Sequence, residues 1–249
     1  STIYGKRKFS RLFRKYLHRR INLEEIYIIA QQITNMYRND GYILSKAVVP
    51  PQKIEGGVVQ INVIEGFVDR VAIQGQVRGP RRLLNEYRKM ILRSRPLKSK
   101  DLERYLLLVD GLPGVSVKSV LTPSEDQPGA THMTLILSNK AFEGNFGLDN
   151  RGTKFNGPIQ INAGVSGNAL LKNYERIGLQ GVVTSDTDEL QFFSGFYEQP
   201  ISSEGTKLFF STSFSDSKPG SALKDFEVAG ESKTFTLKIT HPFIRSRAE

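Results

Sequence analysis

Three histidines, His18, His132 and His241, and adjacent carboxylates such as Glu24-Glu25 and Asp188-Glu189, are the side chains that could carry catalysis or hold a metal. Imidazoles and carboxylates bind metal when they recur at short, fixed spacings. None of these histidines has such a partner in sequence. The patterns G-x-S-x-G, G-x-x-x-x-G-K and H-E-x-x-H are missing, and there is no cysteine to act as nucleophile, ligand or disulfide partner. Read plainly, the histidines are surface or strand residues and the carboxylates are solvated helix or turn residues. No catalytic residue, metal ligand or cofactor is assigned, and the chain is not expected to be an enzyme.

Charge is the next candidate. The net charge of +10 is uneven: residues 1–140 hold 24 Lys and Arg against 12 Asp and Glu, and residues 141–249 hold 11 against 13. A basic region can meet nucleic acid, anionic lipid headgroups or an acidic protein, or be a solvated helix face. Mean hydropathy is −0.32, and no stretch approaches the roughly 20 apolar residues of a spanning helix. That excludes helical spans only, because barrel strands are short and half polar. The start, Ser1-Thr-Ile-Tyr-Gly5, lacks Met and a signal-type apolar run, so it reads as an internal start with any export signal removed.

The elements that position these residues follow from periodicity. Phe9, Leu12, Phe13, Tyr16 and Leu17 form one stripe of a basic helix over residues 6–20. Asn22 with Glu25 predicts a capping box for a second helix, buried through Leu23, Ile26, Tyr27, Ala30, Ile33 and Tyr37 and stopped by Gly41. Strands are predicted over 43–49 and 58–64. The pattern then recurs: a strand over 67–74, a helix from Pro80 striped by Leu83, Leu84, Tyr87 and Ile91, another with Leu102, Leu106 and Val109, and a hairpin of 115–121 with 132–137. The order strand, helix, helix, strand, strand therefore occurs twice at a spacing of roughly 75 residues. The first copy lacks its opening strand, of which Ser1-Thr-Ile3 is read as the stub.

Past residue 140 the period becomes two. Phe142, Gly144, Phe146 and Leu148 alternate with Glu143, Asn145, Gly147 and Asp149, and the segments starting near 159, 174, 189, 208 and 235 follow the same rule. A soluble β-sandwich shows such alternation too. Strands of about 9–11 residues, with one face aromatic or aliphatic and the other small and polar, favour a membrane barrel wall.

Gly41-Tyr42, Val49-Pro-Pro-Gln52, Gly57-Val-Val-Gln-Ile-Asn-Val-Ile-Glu-Gly66, Leu112-Pro-Gly-Val115 and Gly147-Leu-Asp-Asn150 together resemble the two-partner secretion transporters, the class that secretes filamentous haemagglutinins and haemolysins. The repeated unit resembles the polypeptide-transport-associated (POTRA) domain. The resemblance implies an α+β fold of βααββ repeats followed by an antiparallel transmembrane β-barrel. Residues 1–66 and 67–140 would be the two repeats, and 141–249 the first strands of the barrel. The family barrel has about sixteen strands, within the range such barrels span. The chain holds material for about six and is expected to be part of a longer transporter, because an open wall leaves costly unpaired edges in hydrocarbon.

The resemblance further implies an outer-membrane location with the repeats in the periplasm. The implied partners are a secreted exoprotein and outer-membrane lipid including lipopolysaccharide, with no nucleic acid. The client would be captured by strand addition at a repeat's edge strand. The candidate edges are Ser45, Lys46, Ala47 and Val48 in the first repeat, and Ser116, Val117, Lys118, Ser119 and Val120 in the second; the bland alternative is that both are solvated or covered. Glu143, Asn145, Asp149, Gln160 and Asn162 would line the pore. The competing readings are a barrel-assembly factor, a basic nucleic-acid-binding module using residues 6–20, and a purely structural membrane anchor.

Overall fold

Asn22 opens the longest helix among the described residues. Its side-chain oxygen accepts the Glu25 N–H at 2.8 Å, and the Glu25 carboxylate accepts the Asn22 N–H at 3.1 Å. Helix α2 (Leu23–Asn39) runs to Gly41, whose φ of +88° turns the chain out of the helix. The structure, a computed structural model, describes residues 2–247. Ser1, Ala248 and Glu249, at the outer limits of the expected units, lie outside the described residues.

The basic stretch is not one helix to residue 20. Helix α1 (Lys6–Phe13) tightens into a single 3₁₀ turn over Arg14–Tyr16, and His18 at φ +58° redirects the chain. The buried stripe of α2 is Ile26, Ile29, Ala30, Ile33 and Tyr37, whereas Leu23 and Tyr27 are exposed. The sheet beneath is small: β1 (Lys46–Val48) and β2 (Asn62–Ile64) pair antiparallel over three residues each. Both strands are shorter than their alternation predicts. Pro50 and Pro51 bring no N–H to a ladder. Gln52 replaces the missing strand, accepting the Gln60 N–H at 2.8 Å and donating to the Gln60 carbonyl at 2.9 Å. Thr2 and Ile3 form no strand either; their N–H groups donate to the Glu65 carboxylate, which also accepts the Tyr37 hydroxyl at 2.8 Å.

The second unit is complete. β3 (Phe67–Gly75), α3 (Arg81–Arg93), α4 (Ser99–Asp110), β4 (Val115–Pro123) and β5 (Ala130–Asn139) build a sheet of order β3-β5-β4, with β3 parallel and β4 antiparallel to the central β5. Leu84, Tyr87 and Ile91 of α3 and Leu108 and Val109 of α4 pack on Val71, Met133 and Leu135 of the sheet. The two units are joined by backbone. The carbonyl of Gly41 accepts the Ser99 N–H at 2.8 Å, and that of Gly66 accepts the Leu97 N–H at 2.9 Å.

The third part is a meander. β6 (Phe142–Asp149), β7 (Gln160–Asn168), β8 (Arg176–Thr184), β9 (Gln191–Pro200), β10 (Lys207–Ser217) and β11 (Gly230–Thr240) pair antiparallel in sequence order. β8 starts two residues later than its alternation predicts. Ala169, Lys172 and Tyr174 all have positive φ, and the buried Glu175 carboxylate accepts the N–H groups of Leu171 and Asn173. That turn aims Tyr174 away from the meander and into the core of the second unit, where its ring lies against Gly79.

Burial pushes the Tyr174 phenol up to about 12, with Arg81 pulling it back slightly. The neutral form is therefore the one the fold favours. This contribution is complete below pH 10, the ordinary phenol value, and is lost as pH rises through about 12. The hydroxyl has no hydrogen-bond partner among the described residues. Tyr174→Phe is therefore expected to be nearly neutral at pH 7 and to flatten, without abolishing, the alkaline loss of stability, since burial shifts Tyr87 to about 12 as well. Tyr174→Ala is expected to cost about 3–5 kcal/mol. The urea midpoint of the far-ultraviolet helix signal, measured against pH, checks both.

Candidate functional site

A strand points alternate residues' N–H and C=O groups to opposite sides, so the pairing of one side fixes what the other offers. The Lys140 N–H donates to the Gly114 carbonyl at 2.7 Å, which sets the even-numbered residues of β4 towards β5. The odd-numbered residues face outward. The Val115 N–H is taken by the Leu112 carbonyl at 3.0 Å and the Val117 N–H by the Asp110 carboxylate at 3.3 Å. The N–H groups of Ser119 and Leu121 meet no protein acceptor among the described residues.

The same odd residues carry the side chains that face the helices. Val117 and Ser119 line a groove of about 400 Å³ with Leu102, Leu106 and Leu107 of α4; Asp110, Glu103 and Arg247 also line it. Leu106, expected in the core, is half-buried on the wall of this groove. Ser116, Lys118 and Val120 lie on the opposite face, across from Ser138, Ile136 and Thr134. Open backbone donors beside an apolar trough are what an extended peptide needs: hydrogen bonds for its main chain and a slot for alternate side chains.

The edge of β1 differs. Ser45 precedes the strand and is buried, with its Oγ accepting the Gly66 N–H at 3.1 Å and its own N–H donating to Tyr42. The Ala47 N–H donates to Thr34 Oγ1 of α2 at 2.9 Å. These outward donors are already satisfied, so Ser45, Lys46, Ala47 and Val48 offer no open row comparable to that of β4. Thr34 was the feature sequence reasoning missed: a threonine inside an apolar helix stripe reads as filler.

In the meander the register places Glu143, Asn145 and Asp149 of β6 opposite Ser166, Gly164 and Gln160 of β7, with Asn162 opposite Gly147. The five residues expected at the pore thus share one face. That face continues through Gln180, Ser194, Ser213 and Thr234. Ion pairs cross it between Glu143 and Arg176 at 2.8 Å and between Glu198 and Lys207 at 2.7 Å. It also holds aromatic residues the alternation did not assign: Phe196 and Phe209 stack with centroids 6.2 Å apart, and Arg176 lies 6.0 Å from the Phe196 ring. Strand β9 carries adjacent aromatic pairs, Phe192-Phe193 and Phe196-Tyr197, so both its faces look apolar in sequence.

The other face carries Phe146 (75% exposed), Leu179 (65%), Phe235 (74%) and Leu237 (72%). A sandwich would cover these against a second sheet; among the described residues nothing packs there. A contiguous apolar face of this size marks a lipid or protein contact. Among the described residues no helix is long and apolar enough to cross a membrane, which says nothing of strands. His132 pairs with Asp69 at 2.9 Å and His241 with Thr206 at 2.8 Å, and no described group of three or more carboxylates and histidines could hold a metal.

Residues 1–66 match the family described as POTRA domain, ShlB-type, and residues 136–249 match the haemolysin secretion/activation protein family ShlB/FhaC/HecB. Over these two segments the chain resembles the ShlB/FhaC/HecB proteins. It is similar to the heme/hemopexin transporter protein HuxB of Haemophilus influenzae, 24% identical over 240 residues, 96% of this chain and 42% of that protein. It is also similar to the outer membrane transporter CdiB of Dickeya dadantii, 29% identical over 67% of this chain and 29% of that protein. The solved structure of CdiB from Escherichia coli matches 99% of this chain and 46% of that one at a TM-score of 0.72 and 24% identity, which shows the shared fold. The chain thus spans less than half the length of these relatives.

Neighbouring residues of β8 test which face meets lipid. Leu179→Lys is expected to cost about 2–4 kcal/mol in the bilayer and to deplete the protein from the outer-membrane fraction. Gln180→Lys, one residue away on the polar face, is expected to leave the membrane level unchanged in the same fractionation.

Proposed function

We propose that this chain supplies two POTRA modules, residues 1–66 and 67–140, and part of the wall of an outer-membrane barrel, residues 141–249, for the secretion of an unfolded exoprotein. The modules stand in the periplasm. The client pairs as an extended strand with the outer edge of β4 and then passes along the polar face of the meander. The observation that carries this reading is the pair of open donors at Ser119 and Leu121 beside the α4 groove, in a chain whose residues 136–249 match the ShlB/FhaC/HecB family.

The parts fit a pore without catalysis. Glu143, Asn145, Asp149, Gln160 and Asn162 line the client's path, and the Phe, Leu and Val face meets lipid and lipopolysaccharide. Movement needs no ATP at this membrane, because folding outside removes the extended chain from the equilibrium. The similarity to HuxB and CdiB, each named a transporter, supports secretion over barrel assembly as the activity. The basic N-terminal stretch speaks against a nucleic-acid surface, since part of its charge is used internally. Lys8 pairs with Asp40 at 2.8 Å and sits over the Tyr4 ring, and Arg19 pairs with Glu25.

Ser119→Pro removes an outward N–H and leaves the β5 ladder intact, since residue 119 does not bond to β5. It is expected to weaken client binding by roughly tenfold, the order of one or two hydrogen bonds, and to reduce secretion, with the membrane level of the transporter unchanged. Unaltered client binding and secretion would remove β4 from the mechanism.

A further inference from the structure

We propose that Asp110 sets the register in which a strand adds to β4. This rests on the reading of the β4 edge given above and specifies where on that edge pairing begins.

The outward row of β4 runs through Val115, Val117, Ser119, Leu121 and Pro123. The Val115 N–H is consumed by the turn from α4, through the Leu112 carbonyl. The Val117 N–H is consumed by the Asp110 carboxylate. Pro123 has no N–H to offer. Two donors therefore remain, Ser119 and Leu121, bounded on both sides by the fold itself.

Asp110 is the last residue of α4. A carboxylate there sits at the negative end of the helix dipole, and the last turn holds no basic residue to offset it. Helix stability does not account for an aspartate at this position, whereas the Val117 N–H does. A client carbonyl arriving opposite Val117 would face a carboxylate already in place, acceptor against acceptor. Opposite Ser119 and Leu121 it finds donors. An added strand is thereby held to the second half of β4, and its alternate side chains fall at the Ser119 end of the α4 groove. The partner is an extended polypeptide segment recognised through its backbone.

The test is residue-resolved hydrogen exchange on the full chain in detergent, with and without an alternating Thr-Val peptide of about ten residues as probe. In the free protein the Val117 amide is expected to exchange up to about tenfold more slowly than that of Ser119, the upper range for one hydrogen bond. Asp110→Ala closes that gap. Asp110→Asn keeps it, because the amide oxygen still accepts. With peptide, the wild-type chain gains protection at Ser119 and Leu121 only, whereas Asp110→Ala extends it to Val117. The proposal is overturned if Val117 exchanges as fast as Ser119 in the wild type, or if peptide protects the same amides with and without the carboxylate. In those cases strand capture at β4 still stands. If the peptide protects no β4 amide in any variant, capture at this edge fails and the register assignment falls with it.

Discussion

Every strand carries two rows of backbone donors and acceptors, and the fate of the second row governs this molecule. In the meander, β7, β8, β9 and β10 have both rows paired with neighbours. In the first repeat the outward donors of residues 45 and 47 are spent on Tyr42 and Thr34. In the second repeat β4 keeps two donors open. An unpaired N–H in water is tolerable, but it is also a template for another strand. The contrast between the closed edge of β1 and the open edge of β4 thus separates a structural edge from one suited to pairing with another chain.

The meander obeys a related constraint. Strand pairing with period two means that a single register error would carry a whole row of side chains to the wrong face. The register observed collects Glu143, Asn145, Asp149, Gln160 and Asn162 on one side and Phe146, Leu179, Phe235 and Leu237 on the other. Tyr174 then couples this sheet to the second repeat: a turn held by Glu175 inserts the ring into a core built mainly from α3, α4, β3 and β5. Arg104 adds a second tie, reaching Glu204 at 3.0 Å. The position of the β4 edge relative to the meander follows from these contacts.

Local signals were legible wherever one residue type does one local task. The Asn22–Glu25 cap, the Gly41 stop, the α3 stripe and the six alternating segments all act within a few residues of themselves. Expectations failed where a distant group competed. Gln52 took the place of a strand partner for Gln60, Glu65 took the N–H groups of Thr2 and Ile3, and the core of the second repeat claimed Tyr174 from the start of β8. Leu23 and Tyr27 fit a helical stripe yet stayed in solvent, because the stripe says only which residues lie together and not how wide a sheet will cover them.

The residue order alone determined the recurrence of two helical segments followed by two strands, the change to period two beyond residue 140 and the division of the later strands into a polar and an apolar face, since these depend on spacing along one chain. Tertiary structure decided which of the two expected edges, β1 or β4, is open. The Thr34 hydroxyl, the Asp110 carboxylate and the inserted Tyr174 ring each act on a residue from another element. A hydrogen bond or a ring contact of that kind is set by where two elements dock, and periodicity within either one does not encode it.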